Sequence, residues 1–68
     1  MELKDILTIE RKEHNLTQQE LANILCITRA AYAKYETGQN IPPIPVLSQL
    51  ADLYKCSVDY LIGRYGSK

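Results

Sequence analysis

The strongest constraint on this chain is a three-residue link, Cys26-Ile27-Thr28, between two segments that each read as a capped helix. Upstream, Thr17-Gln18-Gln19-Glu20 fits a capping box. In that motif the Thr hydroxyl accepts from the amide three residues on and the Glu reaches back to the cap. Leu21, Ile24 and Leu25 then recur at helical spacing as an apolar face, and Leu16 before the cap can staple onto Leu21. The helix is expected over residues 18–25. Thr28 is a second N-cap, opening a helix over 29–37 that Gly38 closes. A link this short forces the two axes to cross steeply, as in a helix-turn-helix. Ala22 is small where the backbones must approach, and Leu21, Leu25, Ile27, Tyr32 and Tyr35 supply the inward contacts. Tyr32 and Tyr35 are thus read as core, not as stacking platforms.

The flanking segments are helical too. Leu3, Ile6, Leu7 and Ile9 predict a helix over 3–14, ended by Asn15 in a left-handed conformation. Residues 39–43 are a loop. Pro42, Pro43 and Pro45 forbid helix before about Ile44, after which Val46, Leu47, Leu50, Ala51 and Tyr54 keep helical spacing. Ser57 caps a last short helix with Val58, Leu61 and Ile62 inward and Gly63 at its end. Residues 64–68 read as a mobile tail. The expectation is one all-α domain of five short helices over residues 1–68.

A chain of 68 residues buries only about 60% of its unfolded surface, so it needs an efficient core or a partner. The 46% apolar share is ample for a helical core. Its aromatic content is five Tyr with no Trp or Phe, and Tyr suits a core rim. Cys26 and Cys56 make no disulfide framework, and with one His there is no zinc-site spacing. They are expected to be packed thiols in a reducing compartment. No metal or cofactor is implied. Met1-Glu2-Leu3-Lys4-Asp5 does not open a signal peptide, and no apolar run nears the ~20 residues of a membrane span. A cytoplasmic protein with no membrane partner is expected. There are no paired carboxylates in a cleft, no nucleophile with its base and no phosphate loop, so the chain does not read as an enzyme. A formal net charge of zero counts against nucleic-acid binding on average, but local arrangement matters more than the sum.

The exposed face of the third helix is informative. It carries Thr28, Arg29, Ala30, Ala33 and Lys34, short side chains apart from two cations. Arg29 lies in the first turn, where a helix entering a groove end-on meets base edges, and it can grip guanine O6 and N7 together. Ala30 and Ala33 allow close approach and can meet a thymine methyl. Lys34 can reach a base or a phosphate.

Leu16-Thr17-Gln18-Gln19-Glu20-Leu21-Ala22, Thr28-Arg29 and Lys34-Tyr35-Glu36-Thr37-Gly38 together resemble the Cro/phage-repressor (XRE) helix-turn-helix family. The likeness continues through Pro42, Leu47, Leu50-Ala51 and Ser57-Val58-Asp59-Tyr60-Leu61-Ile62-Gly63. It implies a lambda-repressor-like domain of five helices whose third is the recognition helix. It implies that Gln18, beside Thr17 at the start of the second helix, hydrogen-bonds a DNA phosphate. Positions 28, 29, 30, 33 and 34 would face base edges, and Thr37, Gln39 and Asn40 would border the sugar-phosphate backbone. It further implies an ion pair between Arg11 and Glu36, for which both residues are present. The chain departs from the family at three points. Cys26 stands where Gly is usual, which costs roughly 1 kcal/mol if the turn stays left-handed. Gln39 and Asn40 are neutral where relatives often carry Lys or Arg. Glu10 replaces an apolar residue before Arg11, with Ile9 a candidate to compensate.

The expected function is sequence-specific binding of a palindromic double-stranded operator by a homodimer, making the protein a transcriptional regulator acting as a repressor. Tyr60, Ile62 and Tyr65 form either a polar-edged core rim or a dimer patch, of which the patch is the preferred expectation. The domain is too small for a separate small-molecule effector site. The alternative is an antitoxin-type module that binds a toxin and regulates its own operon.

Overall fold

The computed structural model describes residues 2–62, and these form five helices without a strand. They are α1 (Leu3–Glu13), α2 (Gln18–Leu25), α3 (Arg29–Thr37), α4 (Ile44–Tyr54) and α5 (Val58–Leu61). The expected all-α, five-helix architecture is present with boundaries within a residue of those read from the caps. The expected tail, residues 64–68, together with Gly63 and Tyr65, lies outside the described residues.

Local chemistry sets the starts. The Thr17, Thr28 and Ser57 hydroxyls accept from the amides of Glu20, Ala31 and Tyr60 at 3.0, 3.1 and 3.0 Å. Glu20 completes the capping box by accepting from the Thr17 amide at 2.8 Å. The ends share one device. Asn15, Cys26 and Lys55 follow α1, α2 and α4 with φ of 56°, 60° and 54°, and Gly38 follows α3 with φ 85°. After each of the three non-glycine residues, the next amide returns to a carbonyl five residues back: Leu16 to Arg11, Ile27 to Ala22 and Cys56 to Ala51. This Schellman-type bond satisfies a helix-end carbonyl and offsets the roughly 1–2 kcal/mol of a left-handed non-glycine residue. At Gly38 a Cβ would also press within 3.2 Å of the Lys4 stem.

The core is assembled from the inward faces of all five helices: Ile6 and Leu7, Leu21, Ala22 and Leu25, Tyr32, Val46, Leu50, Ala51 and Tyr54, and Leu61. α3 packs against α1 and α2, while α5 packs against α4 and α1. Tyr32 is fully buried and Tyr35 packs against the cluster, as expected of core residues.

Four expectations change. Ile24 is not part of the inward face of α2: it is 49% exposed, because Leu21, Ala22 and Leu25 already fill the contact with the core. Ile62 is the residue that ends α5 and is 39% exposed, not inward. Cys26 is exposed, since the left-handed turn lifts its side chain out of the core; Cys56 is half-buried. Ile9 does not compensate for Glu10. Ile9 faces outward and Glu10 itself is buried, its Oε2 accepting from the Tyr60 hydroxyl at 3.2 Å. Tyr60 is thereby a polar-edged, half-buried part of the core rim.

Candidate nucleic-acid interface

The three-residue link brings the N-terminus of α3 to the surface, while Tyr35 and Glu36 of its last turn face toward the protein and are half-buried. At 100° per residue, Arg29, Ala30, Ala33, Lys34 and Thr37 share one side of α3. Arg29, Ala30, Lys34 and Thr37 are exposed, and Ala33 is half-buried between them. Thr28, at the cap, is exposed as well. Among the described residues, neither Arg29 nor Lys34 has an ion-pair partner. Two cations therefore stand among short side chains on a convex surface, an arrangement suited to a polyanion with readable edges.

The loop beyond α3 continues this surface. Thr37, Gln39 and Asn40 are all exposed. The Thr37 hydroxyl donates to the Lys34 carbonyl at 3.1 Å, and the Asn40 amide donates to the same carbonyl at 3.2 Å. These bonds hold the loop against the end of α3 and leave the Gln39 and Asn40 side chains outward.

The third part of the surface is the start of α2, with Thr17 exposed and Gln18 half-buried. Here the structure adds what sequence reading did not find. The Gln18 side chain is bonded inside the protein: its Nε2 donates to Glu36 Oε1 at 3.1 Å. Glu36 is also the partner of Arg11, whose Nε donates to Oε2 at 2.7 Å and whose other terminal nitrogen donates to Oε1 at 3.3 Å. The Arg11 Nη1 donates to the Leu16 carbonyl at 2.8 Å, just before the Thr17 cap. The expected Arg11–Glu36 pair is thus present and partly buried, with side-chain exposures of 12% and 7%. It anchors α1 to the end of α3 and the loop before α2. No short-range pattern links Gln18 to Glu36, which lie 18 residues apart.

Burial by itself would raise the Glu36 carboxyl, but the hydrogen bonds from Arg11 and Gln18, with the Arg11 charge, outweigh it and hold the group below its ordinary value. The hydrogen bond to Glu36 raises the Arg11 guanidinium further. Burial, with the neighbouring Glu36 carboxylate, pushes the Tyr32 and Tyr54 phenols far up, so both stay neutral. The Arg11–Glu36 pair beneath the candidate interface is therefore a unit of one cation and one anion with no net charge. Among the described residues no His, Cys, Asp or Glu cluster could hold a metal ion, and no helix is long and apolar enough to cross a membrane.

A helix-turn-helix family model matches residues 7–61. The chain belongs to that family, of the Cro/phage-repressor type. Its first two helices after α1, α2 and α3, are the motif's pair. The chain is 36% identical over 67 residues to the cryptic phage CTXphi transcriptional repressor RstR of Vibrio cholerae, across 98% of this chain and 60% of that protein. It is 41% identical over 64 residues to the HTH-type transcriptional regulator AnsR of Bacillus subtilis, across 94% of this chain and 55% of that one. The chain therefore spans little more than half the length of these relatives. A crystal structure of a transcriptional regulator from Listeria innocua superposes with a TM-score of 0.87 at 31% identity, covering 91% of this chain and 58% of that one. The P22 c2 repressor protein, solved in complex with a synthetic operator, shares the fold with a TM-score of 0.87 at 22% identity, over 96% of this chain and 98% of that one.

Proposed function

We propose that this helix-turn-helix protein is a sequence-specific DNA-binding transcriptional regulator that represses by occupying its operator. The observation that carries the reading is the outward side of α3, where Arg29 and Lys34, with no ion-pair partner among the described residues, stand among Thr28, Ala30 and Ala33. In this reading α3 enters the major groove. Arg29 reads a guanine, Ala30 and Ala33 pass close to base edges, and Thr28 meets the groove beside its capping bond. Lys34 contacts a base or a phosphate. Thr17, Gln18, Thr37, Gln39 and Asn40 line the flanking backbone, fixing register without reading sequence. The amides of Gln18 and Gln19 at the start of α2, ahead of the Glu20 amide that the Thr17 cap takes, favour an anion there. With Gln39 and Asn40 neutral, few phosphates are neutralised per subunit and the affinity falls shallowly with salt. The protein works in the cytoplasm, by occupancy and not by catalysis.

One recognition helix reads too few base pairs for useful specificity, so the reading includes a two-fold dimer on a palindrome whose half-sites lie about 34 Å apart. The apolar surface that suits a second copy is Ile62 with Ile41, which line one open groove beside Leu3 and Tyr35, with Ile44 three residues on in the chain. Ile41 and Ile44 are 80% and 75% exposed. Two copies with zero net charge do not repel.

Selection of bound fragments from random duplex DNA, followed by footprinting at physiological salt, tests the reading. Enrichment of one palindromic sequence is expected, with tighter binding to two half-sites than to one in sedimentation. Recovery of unrelated sequences at equal affinity refutes it.

A further inference from the structure

We infer that Glu36 is a positioning residue for DNA-backbone recognition: its carboxylate, neutralised by Arg11, holds the Gln18 amide in place for a phosphate. This rests on the DNA-binding reading above and concerns how that contact is prepared.

Gln18 offers one group of use to a phosphate, the side-chain NH2, with two hydrogens. One goes to Glu36 Oε1 at 3.1 Å, which fixes the position of the nitrogen and leaves the second hydrogen for an outside acceptor. A free glutamine on a helix surface would lose rotamer freedom on binding. Here that freedom is already spent in the folded protein, so the contact forms with less entropic loss.

A carboxylate beside a phosphate seat would ordinarily repel the ligand. Arg11 removes that objection, because its Nε and second terminal nitrogen occupy both Glu36 oxygens at 2.7 and 3.3 Å. The acceptor on which Gln18 leans is therefore half of a closed, partly buried ion pair with no net charge. The third Arg11 bond, from Nη1 to the Leu16 carbonyl at 2.8 Å, sets the backbone just ahead of the turn that carries Gln18. One guanidinium thus orients both the acceptor for the Gln18 side chain and the chain from which that side chain springs. A pair serving only to join α1 and α3 would need neither bond.

The test combines a double-mutant cycle with neutralised phosphates. Wild type, Gln18→Met, Glu36→Gln and the double variant are measured on the duplex that wild type selects from random DNA. They are then measured on copies in which one phosphate at a time is a methylphosphonate. All measurements are made well below each melting temperature, with the folded fraction set by circular dichroism. Each single variant is expected to lose about three- to tenfold in affinity, the double variant no more than either. One methylphosphonate should weaken wild type by a similar factor and leave all three variants unmoved. Additive losses, or a Glu36→Gln protein still sensitive to that phosphate, overturn the positioning role while leaving DNA binding intact. A wild type that selects no DNA overturns both readings. Side-chain amide relaxation of DNA-free wild type gives an answer that does not require Glu36→Gln to fold. A Gln18 amide much more rigid than that of exposed Gln39 supports the role, and one equally mobile refutes it.

Discussion

The two ends of α3 obey opposite rules. At its start, Thr28, Arg29 and Ala30 are exposed, and the Arg29 guanidinium has no ion-pair partner among the described residues. At its end, the Glu36 side chain is largely covered and both carboxylate oxygens are taken by Arg11 and Gln18. One nine-residue helix therefore carries a charge kept available and a charge kept satisfied. The difference teaches that a cation on a binding surface is worth little to stability, whereas a buried carboxylate makes the helix's position conditional on a partner from α1. The end that holds still allows the other end to be aimed.

The largest expected effect breaks the satisfied end. Glu36→Ala or Arg11→Ala leaves a buried charge unpaired and should cost about 3–5 kcal/mol, against less than about 0.5 for Arg29→Ala. In a domain this size each kcal/mol lowers Tm by roughly 4–8 °C, so thermal melts separate the two ends clearly. Equal melting temperatures for all three variants would erase the contrast.

The second prediction reverses the ranking by reading DNA. Arg29→Ala should weaken operator binding by about 1–3 kcal/mol and relax preference at one base pair, with the fold unchanged. Lys34→Ala, if it meets a phosphate, should weaken all sequences alike. Competition binding on operator and on scrambled duplex decides, and an equal loss on both for Arg29→Ala would move that residue to the backbone.

A third, smaller effect uses pH on the satisfied end. The Glu36 carboxyl sits below its ordinary value of 4.5, so its contribution is complete above that pH and is lost as pH falls through the lower folded value. The stability gap between wild type and Glu36→Gln should hold constant from neutral pH to about pH 5 and narrow below it. Urea melts across that range measure it. A gap that widens in acid would contradict the ion pair as the source.

The smallest effect concerns the turn that separates the two helices of the motif. Cys26→Gly should stabilise by about 0.5 kcal/mol, the relief of a left-handed non-glycine residue less the added entropy of the unfolded chain. Lys55→Gly, at the same kind of turn with φ 54°, should behave alike. Melting curves of both sharpen the comparison. A destabilised Cys26→Gly alone would mean that the thiol contributes packing at that turn.

Helix starts were determined by the sequence, because capping is a contact between residues three apart. Thr17, Thr28 and Ser57 could be assigned before any tertiary contact was known. Two of the left-handed ends, Asn15 and Gly38, were legible for a similar reason, since both residue types tolerate positive φ. Lys55 was not, because nothing in lysine favours that conformation; the return bond from the Cys56 amide to Ala51 holds it there. The outward side of α3 and the Arg11–Glu36 pair were likewise legible, the first from periodicity and the second from the family register. What tertiary structure alone decided lies at the margins of the helical faces and across long sequence separations. Periodicity draws an apolar arc but does not say where the neighbouring helix stops covering it. Ile24 and Ile62 therefore ended up outward, and Glu10 ended up inward beneath the Tyr60 hydroxyl, 50 residues away. The bond from Gln18 to Glu36 belongs to the same class. It exists only because α1 brings Arg11 to the point where the start of α2 meets the end of α3, and no local propensity encodes a meeting of three helices.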